Sequence, residues 1–373
     1  MKKIIFIFVF IIFASGTYLL SRSEKLNIAE SVENQKGVMY WLNNMQTLSA
    51  NDLQDDDIVN VIYTNNDGYG VIKRLNNEKN PQIEIEFFSS EKKPVAHVRE
   101  QWQYDVPFPE YLVSKNGDKV LAVDISNRIR VFNNDGKVQE NYKIIDKYSY
   151  ETETIIVNAA TDNLDLLFTG MTVPGKKITT LTFRTSANEM IWRESYEGWS
   201  VRSVAISNDG RYLAASLYQS GDAFRFRSII FTANGEIVYE SQQRTSGFRF
   251  SSDNNFVTLL DKKQLELADL KTRSKTGTYE LADADKIIIG ADFSDKNILI
   301  IQTAEVSRNN KDQFNPWQYI KNSLVSLDMS ATQIAKINFE DDWVIHPCLR
   351  FDAQRQQFFY GHNAGYRLLN AIQ

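Results

Sequence analysis

Cysteine and proline are scarce in this sequence. Cys348 is the single cysteine among 373 residues, so no intramolecular disulfide can form. No cysteine directly follows the N-terminal hydrophobic run, which excludes a lipid-modified cysteine anchor there. Seven prolines and a charged fraction of 24% argue against long disordered stretches. With 43% hydrophobic residues, the chain can bury a large core that needs no covalent links.

Motifs for catalysis, metal binding and nucleic-acid binding are also missing. The net charge is −5 and no dense block of lysine and arginine occurs, which argues against a nucleic-acid partner. The three histidines, His97, His346 and His362, are too scattered for a metal centre, and His346 with Cys348 would supply two ligands where zinc needs three or four. There is no nucleophile elbow, Walker loop or paired-cysteine motif. We therefore predict no catalytic, cofactor-binding or metal-binding residues.

The N-terminus has the pattern of an export signal. Lys2 and Lys3 precede the apolar run 4–13, and the small residues 14–16 suit a signal peptidase. The apolar character continues to Leu20, a span of about 17 residues and the lower limit for a membrane helix. Residues 1–22 are therefore either a cleaved signal peptide or a retained membrane anchor. In both cases the lysines stay in the cytoplasm and the rest of the chain is exported.

Two further regions follow this segment. Residues 23–57 are polar and irregular, which predicts a tether. From residue 58 to 373 short alternating segments are separated by Asn, Asp and Gly, as expected for antiparallel strands joined by tight turns. Asn-Gly and Asn-Asp-Gly sequences favour type I′ hairpin turns. They occur at 66–68, 116–117, 134–136, 208–210 and 234–235.

The strand pattern repeats along the chain. The segment 204–215 has the same order of residues as 111–122, and weaker copies begin near Val157, Phe248, Ala291 and Cys348. Aligned positions recur at intervals of 46, 47, 44 and 43 residues. These positions are Ser114, Ala160, Ser207, Ser251 and Ser294. The next, Asp352, follows after 58 residues, because this repeat carries an insertion from Glu305 to Ser323. Repeats of 40 to 50 residues with four strands each are typical of β-propeller blades.

The segment 206–214, Ile-Ser-Asn-Asp-Gly-Arg-Tyr-Leu-Ala, resembles the first hairpin of the bacterial WD-repeat-like and quinoprotein-like β-propellers. The resemblance covers roughly residues 58–373. It implies an all-β fold of four-stranded antiparallel blades. We expect seven blades, with six as the alternative, because residues 58–99 could form a blade of their own or complete the last one.

Aromatic residues suggest where such a molecule would bind a partner. In a four-stranded blade, the loop between the second and third strands and the connection to the next blade open on one side. Tryptophan and tyrosine are typical of binding hot spots. The alternative is that these aromatics fill the space between sheets. The predicted face, centred on Glu305 to Ser323, comprises Trp102, Trp199, Phe224, Arg225, Trp317, Tyr319 and Trp343.

The sequence thus predicts a membrane-tethered scaffold on the periplasmic side of the inner membrane, or a secreted one if the signal is cleaved. Its partner would be an envelope protein. The alternative is a quinoprotein-type or hydrolytic enzyme that uses the axial channel. Asp209, Asp253 and Asp295 recur in the hairpin turns of their repeats, which favours turn-stabilising aspartates over ion ligands.

Overall fold

The structure is a computed structural model. It describes residues 58–63, 69–75, 82–88, 94–101, 110–114, 117–123, 128–143, 155–173, 177–220, 224–294, 297–308, 317–344, 349–352, 357–362 and 365–370. These residues are all-β and contain no helix, hence none that could cross a membrane. The predicted signal or anchor (1–22) and tether (23–57) lie outside them.

The described strands form seven antiparallel sheets in which neighbours along the chain are neighbours in the sheet. Sheet 1 contains β1 (Ile58–Tyr63), β2 (Tyr69–Leu75), β3 (Gln82–Phe88) and β4 (Pro94–Gln101). Sheet 2 contains β5 (Glu110–Val113), β6 (Lys119–Val123), β7 (Arg128–Asn133) and β8 (Val138–Lys143). Sheet 3 contains β9 (Ile155–Ala160), β10 (Leu166–Val173), β11 (Ile178–Thr185) and β12 (Met190–Glu197). Sheet 4 contains β13 (Ser200–Ile206), β14 (Tyr212–Gln219), β15 (Arg225–Thr232) and β16 (Ile237–Ser241).

Sheet 5 contains β17 (Gly247–Phe250), β18 (Phe256–Leu260), β19 (Gln264–Asp269) and β20 (Ser274–Glu280). Sheet 6 contains β21 (Lys286–Phe293), β22 (Leu299–Arg308), β23 (Trp317–Leu327) and β24 (Gln333–Val344). Sheet 7 contains β25 (Leu349–Asp352), β26 (Gln357–His362) and β27 (Gly365–Asn370). The all-β prediction is confirmed, and residues 58–101 form a sheet of their own.

The hydrophobic core is divided among the spaces between consecutive sheets. Buried residues of sheets 1 and 2 form one cluster, and further clusters join sheets 2 and 3, 3 and 4, 4 and 5, and 5 and 6. The first strands also follow one another, with contacts between β9 and β13, β13 and β17, β17 and β21, and β21 and β25. Each four-stranded sheet is therefore a blade-like unit that buries its faces against its neighbours in the chain.

The aligned serine of the repeat begins the turn between the first two strands of a sheet. Ser207 Oγ accepts a hydrogen bond from the Tyr212 amide at 3.0 Å, and the Gly210 amide donates to the Ser207 carbonyl at 2.9 Å. In sheet 3 the equivalent residue is Thr161, whose Oγ1 accepts from the Leu166 amide at 3.2 Å. The alignment on Ala160 was therefore wrong by one residue.

The turn geometry differs from the predicted type I′. That type needs positive φ at both central residues. In the turn 133–136 the Gly136 amide donates to the Asn133 carbonyl at 3.0 Å, and Gly136, the last residue, has a φ of 74°. Neither Asn134 nor Asp135 has a positive φ. These turns are therefore type I turns followed by one left-handed residue, usually glycine, which makes a bulge where the next strand begins.

Gly210 tests this geometry. Its φ is 75°, and a Cβ atom on it would lie 2.5 Å from Leu166 Cδ1 of the preceding sheet. We expect Gly210→Val to lower the free energy of unfolding by about 1 kcal/mol or more, measured by chemical denaturation. Asn208→Ala, at an exposed position of the same turn without positive φ, is the control. An unchanged free energy for Gly210→Val would contradict the described turn.

Candidate partner-binding face

The predicted insertion is built largely of strand. β22 runs on to Arg308 and β23 begins at Trp317, so 305–308 and 317–323 are paired strand residues. Residues 309–316 lie outside the described part of the chain. At both of its ends the insertion from Glu305 to Ser323 therefore lengthens the hairpin of β22 and β23.

This hairpin makes sheet 6 longer than its first strand. β21 begins at Lys286, which pairs with Glu305. Beyond that pair, residues 306–308, 317–319 and Val344 continue as three strands, here called the sheet 6 extension. Tyr319 lies opposite Val306 on one side and Val344 on the other. In this part of sheet 6, strand β22 has no β21 residue paired to its outer side.

Three of the predicted face residues lie in or beside the extension. Trp317 pairs with Arg308, and Trp343 pairs with Ile320, the residue after Tyr319. Trp317 and Tyr319 thus lie two residues apart on β23, whereas Trp343 lies on the neighbouring strand β24 in register with Ile320 and not with Tyr319. Tyr319 is half-buried, whereas Val306 is 44% exposed. Sequence reasoning missed Val306, since a valine in a strand carries no sign of exposure.

Phe224 and Arg225 lie at the corresponding end of sheet 4. Arg225 pairs with Gln219 at the end of β14, and both Phe224 and Arg225 are exposed. The Phe224 ring stacks on Phe226 with centroids 6.3 Å apart, and Arg244 lies over the Phe226 ring at 5.8 Å. An exposed ring stacked on a half-buried one, next to guanidinium groups, is suited to contact with a protein surface.

Trp199 shares that end but belongs to the core. It is half-buried and packs against the cluster between sheets 3 and 4. Hydroxyl groups of sheet 3 hold the connection around it: Thr179 Oγ1 donates to the Trp199 carbonyl at 2.6 Å, and the Val201 amide donates to Thr172 Oγ1 at 2.7 Å. This is the role that the alternative interpretation gave to aromatics between sheets. Trp102 lies outside the described residues.

The recurring aspartates stabilise turns where they are described. Asp253 Oδ1 accepts from Ser251 Oγ at 2.6 Å and from the Asn255 amide at 3.0 Å. Partial burial raises the pKa of Asp253, but these hydrogen bonds outweigh burial and hold the pKa below its usual value. Asp209 makes the same contacts with Ser207 and Arg211. Asp295 lies outside the described residues, as do His346 and Cys348.

A groove of about 420 Å³ lies between the outer strands of sheet 1 and a turn of sheet 2. Its carboxylates are partly engaged, since Glu84 Oε1 accepts from Arg99 Nε at 2.7 Å. Sequence reasoning missed this groove because its residues are distant in the chain. Among the described residues no three acidic, histidine or cysteine side chains form a metal cluster. The groove is lined by Glu84, Glu86, Pro94, Val95, Ala96, His97 and Asn134.

Comparison with known proteins adds no further assignment. No family model matches the chain, and no curated protein matches it significantly.

Proposed function

We propose that this chain is a membrane-tethered β-propeller that binds a partner protein on the periplasmic side of the inner membrane. Seven blades are supported by the seven sheets of the described residues and by the contacts between successive first strands. The N-terminal lysines and apolar run support the tether and the export.

The observation that carries the binding role is the sheet 6 extension. Its strands β22, β23 and β24 have 10, 11 and 12 residues, against 4 to 8 in the other described sheets. A hairpin this long is not needed to fill the space between sheets. It also places Tyr319 directly opposite the exposed Val306, with Trp317 two residues away on the same strand. An aromatic residue directly across the sheet from an exposed aliphatic side chain matches the composition of protein-binding hot spots.

Site-specific photocrosslinking tests this role. A photoreactive amino acid at Val306 of the full chain is expected to give a discrete protein adduct in intact cells, because this side chain would lie within the interface. Val138 is the matched control, since it is 51% exposed on β8 of sheet 2, away from the predicted face. The measurement is the yield of the adduct, with its protein identified by mass spectrometry.

A second substitution separates binding from folding. Tyr319→Ala, opposite Val306, should reduce the adduct yield at least tenfold if this ring is a hot spot worth about 1.4 kcal/mol or more. If the photoreactive residue at Val138 captured the same protein as the one at Val306, the result would contradict the proposed partner-binding face. So would an adduct whose yield Tyr319→Ala leaves unchanged.

A further inference from the structure

A buried ammonium group lies at the start of β21. Lys286 is 7% exposed, and its Nζ donates a hydrogen bond to Ser323 Oγ at 2.7 Å. An ammonium has three donors, and no carboxylate of the described residues forms an ion pair with this one. Removing a charge from water is costly unless the charge is paired. The other two donors of Lys286 therefore lack a partner among the described side chains.

A second unsatisfied polar group lies beside it. Thr303 is fully buried, and its Oγ1 has no hydrogen-bond partner. Thr303 pairs across the sheet with Ser323, and Ser323 pairs with Asn338 and donates to its Oδ1 at 2.9 Å. Directly paired residues project from the same face of a sheet. Lys286 shares this face, because it precedes by two residues Ile288, the β21 partner of Thr303.

The charged groups around this row do not neutralise the ammonium. Glu305 Oε2 pairs with Lys321 Nζ at 3.0 Å, and Asp283 Oδ1 accepts from the Asp285 amide at 3.0 Å. Burial lowers the pKa of Lys286, and the nearby charge of Lys336 lowers this pKa further, whereas the carboxylates of Asp283 and Glu305 raise it. These two carboxylates thus act on Lys286 from a distance, and neither forms an ion pair with it among the described residues.

The position of Lys286 in the repeat makes the charge unusual. In β13 a bulge falls between Val201 and Ser203, and in β21 the matching bulge falls between Ile288 and Gly290. Trp199 lies two residues before Val201, and Lys286 lies two residues before Ile288, so the two occupy equivalent positions relative to the bulge. Where sheet 4 packs an indole against the preceding sheet, sheet 6 carries a cation. Filling the space between sheets does not require a cation there.

We infer that Lys286, Ser323 and Thr303 form a binding site for a single oxyanion group, a carboxylate or a phosphate. The two remaining donors of Lys286 Nζ and the hydroxyl of Thr303 hold the anion oxygens. Ser323 positions the ammonium through the hydrogen bond that it accepts. Because the bound anion supplies the missing counter-charge, it stabilises the junction of sheets 5 and 6. This inference does not depend on the partner-binding role of the extension.

Thermal unfolding of the full chain in detergent, with added inorganic phosphate or sodium acetate, tests the site. Ionic strength is held constant with sodium chloride. At ten times the dissociation constant, the anion should raise Tm by about 2 °C in a chain of this size. Lys286→Met and Thr303→Val should abolish this rise. Lys286→Met itself is expected to fold, since replacing a buried charge with an apolar group is often neutral or stabilising.

Lys321→Met is the matched control, because it removes an exposed lysine of the same surroundings and should leave the rise intact. A second readout follows the Cε resonance of Lys286 in lysine-labelled protein, assigned by its loss in Lys286→Met. The bound anion should raise the titration midpoint of this resonance. A larger rise with phosphate than with acetate identifies a phosphate site, and the reverse identifies a carboxylate site. No rise with either anion, or an equal rise in Lys286→Met, would overturn the inference.

Discussion

Gly277→Ala is expected to lower the free energy of unfolding by about 3 kcal/mol or more, because the added methyl group meets backbone. Gly277 lies in β20, the outer strand of sheet 5, and a Cβ atom on it would be 2.0 Å from the Ser330 carbonyl oxygen. Ser330 is part of the turn between β23 and β24 of sheet 6. Neither backbone segment can move without loss of its own pairing. Urea denaturation followed by tryptophan fluorescence measures the effect.

Gly247→Ala is the control in the same sheet. A Cβ atom at Gly247 has no atom within 4 Å, so this change should be neutral or stabilise by up to about 1 kcal/mol. If Gly277→Ala and Gly247→Ala lowered the free energy of unfolding by similar amounts, the close approach of Gly277 to Ser330 would not be the cause.

Arg130→Met should cost about 3 to 5 kcal/mol, as expected when one partner of a buried ion pair is removed. Glu100 of sheet 1 is 8% exposed, and its carboxylate accepts from Tyr111 Oη at 2.7 Å and pairs with Arg130 Nη1 at 2.5 Å. Both partners belong to sheet 2. The substitution leaves a carboxylate between two sheets without its guanidinium.

Two comparisons identify the cause. Adding Glu100→Gln to Arg130→Met should recover most of the lost stability, because the buried charge is then gone. Arg273→Met removes a pair with Glu236 that is more than half exposed on both sides, and should cost at most about 1 kcal/mol. If the double variant is no more stable than Arg130→Met, the buried charge is not the cause.

The repeat and the strand alternation were readable from the sequence because both follow local chemistry. Glycine after Asn-Asp and the hydroxyl of Ser207 determine a turn within six residues. The turn type was not readable, because Asn-Gly is compatible with type I′ and with a type I turn plus a bulge. The choice depends on what the turn packs against. Gly136, for example, approaches His97 O of the preceding sheet so closely that a Cβ atom would lie 2.7 Å from it.

The candidate site was readable in part. Trp317, Tyr319 and Trp343 stood out as aromatics outside the repeat, and they lie on the adjacent strands β23 and β24. Trp199 had the same signature, yet it packs into the core. Composition cannot separate these cases, because an indole is suited to an interface and to a core alike. Lys286 gave no signal, since its surroundings include Ser323, which lies 37 residues further along the chain.

The turns of one sheet repeatedly press on the outer strand of the sheet before it. The turn at Gly136 lies on β4, the turn at Gly235 lies on Trp192 of β12, and the turn at Ser330 lies on Gly277 of β20. These contacts all point toward the N-terminus, which gives assembly a direction. As the chain leaves the ribosome, the outer strand of the preceding sheet can already be folded when the next sheet packs against it. At the usual rates of synthesis, about 45 residues emerge in roughly 2 to 9 s, so folding can keep pace with translation, one sheet at a time.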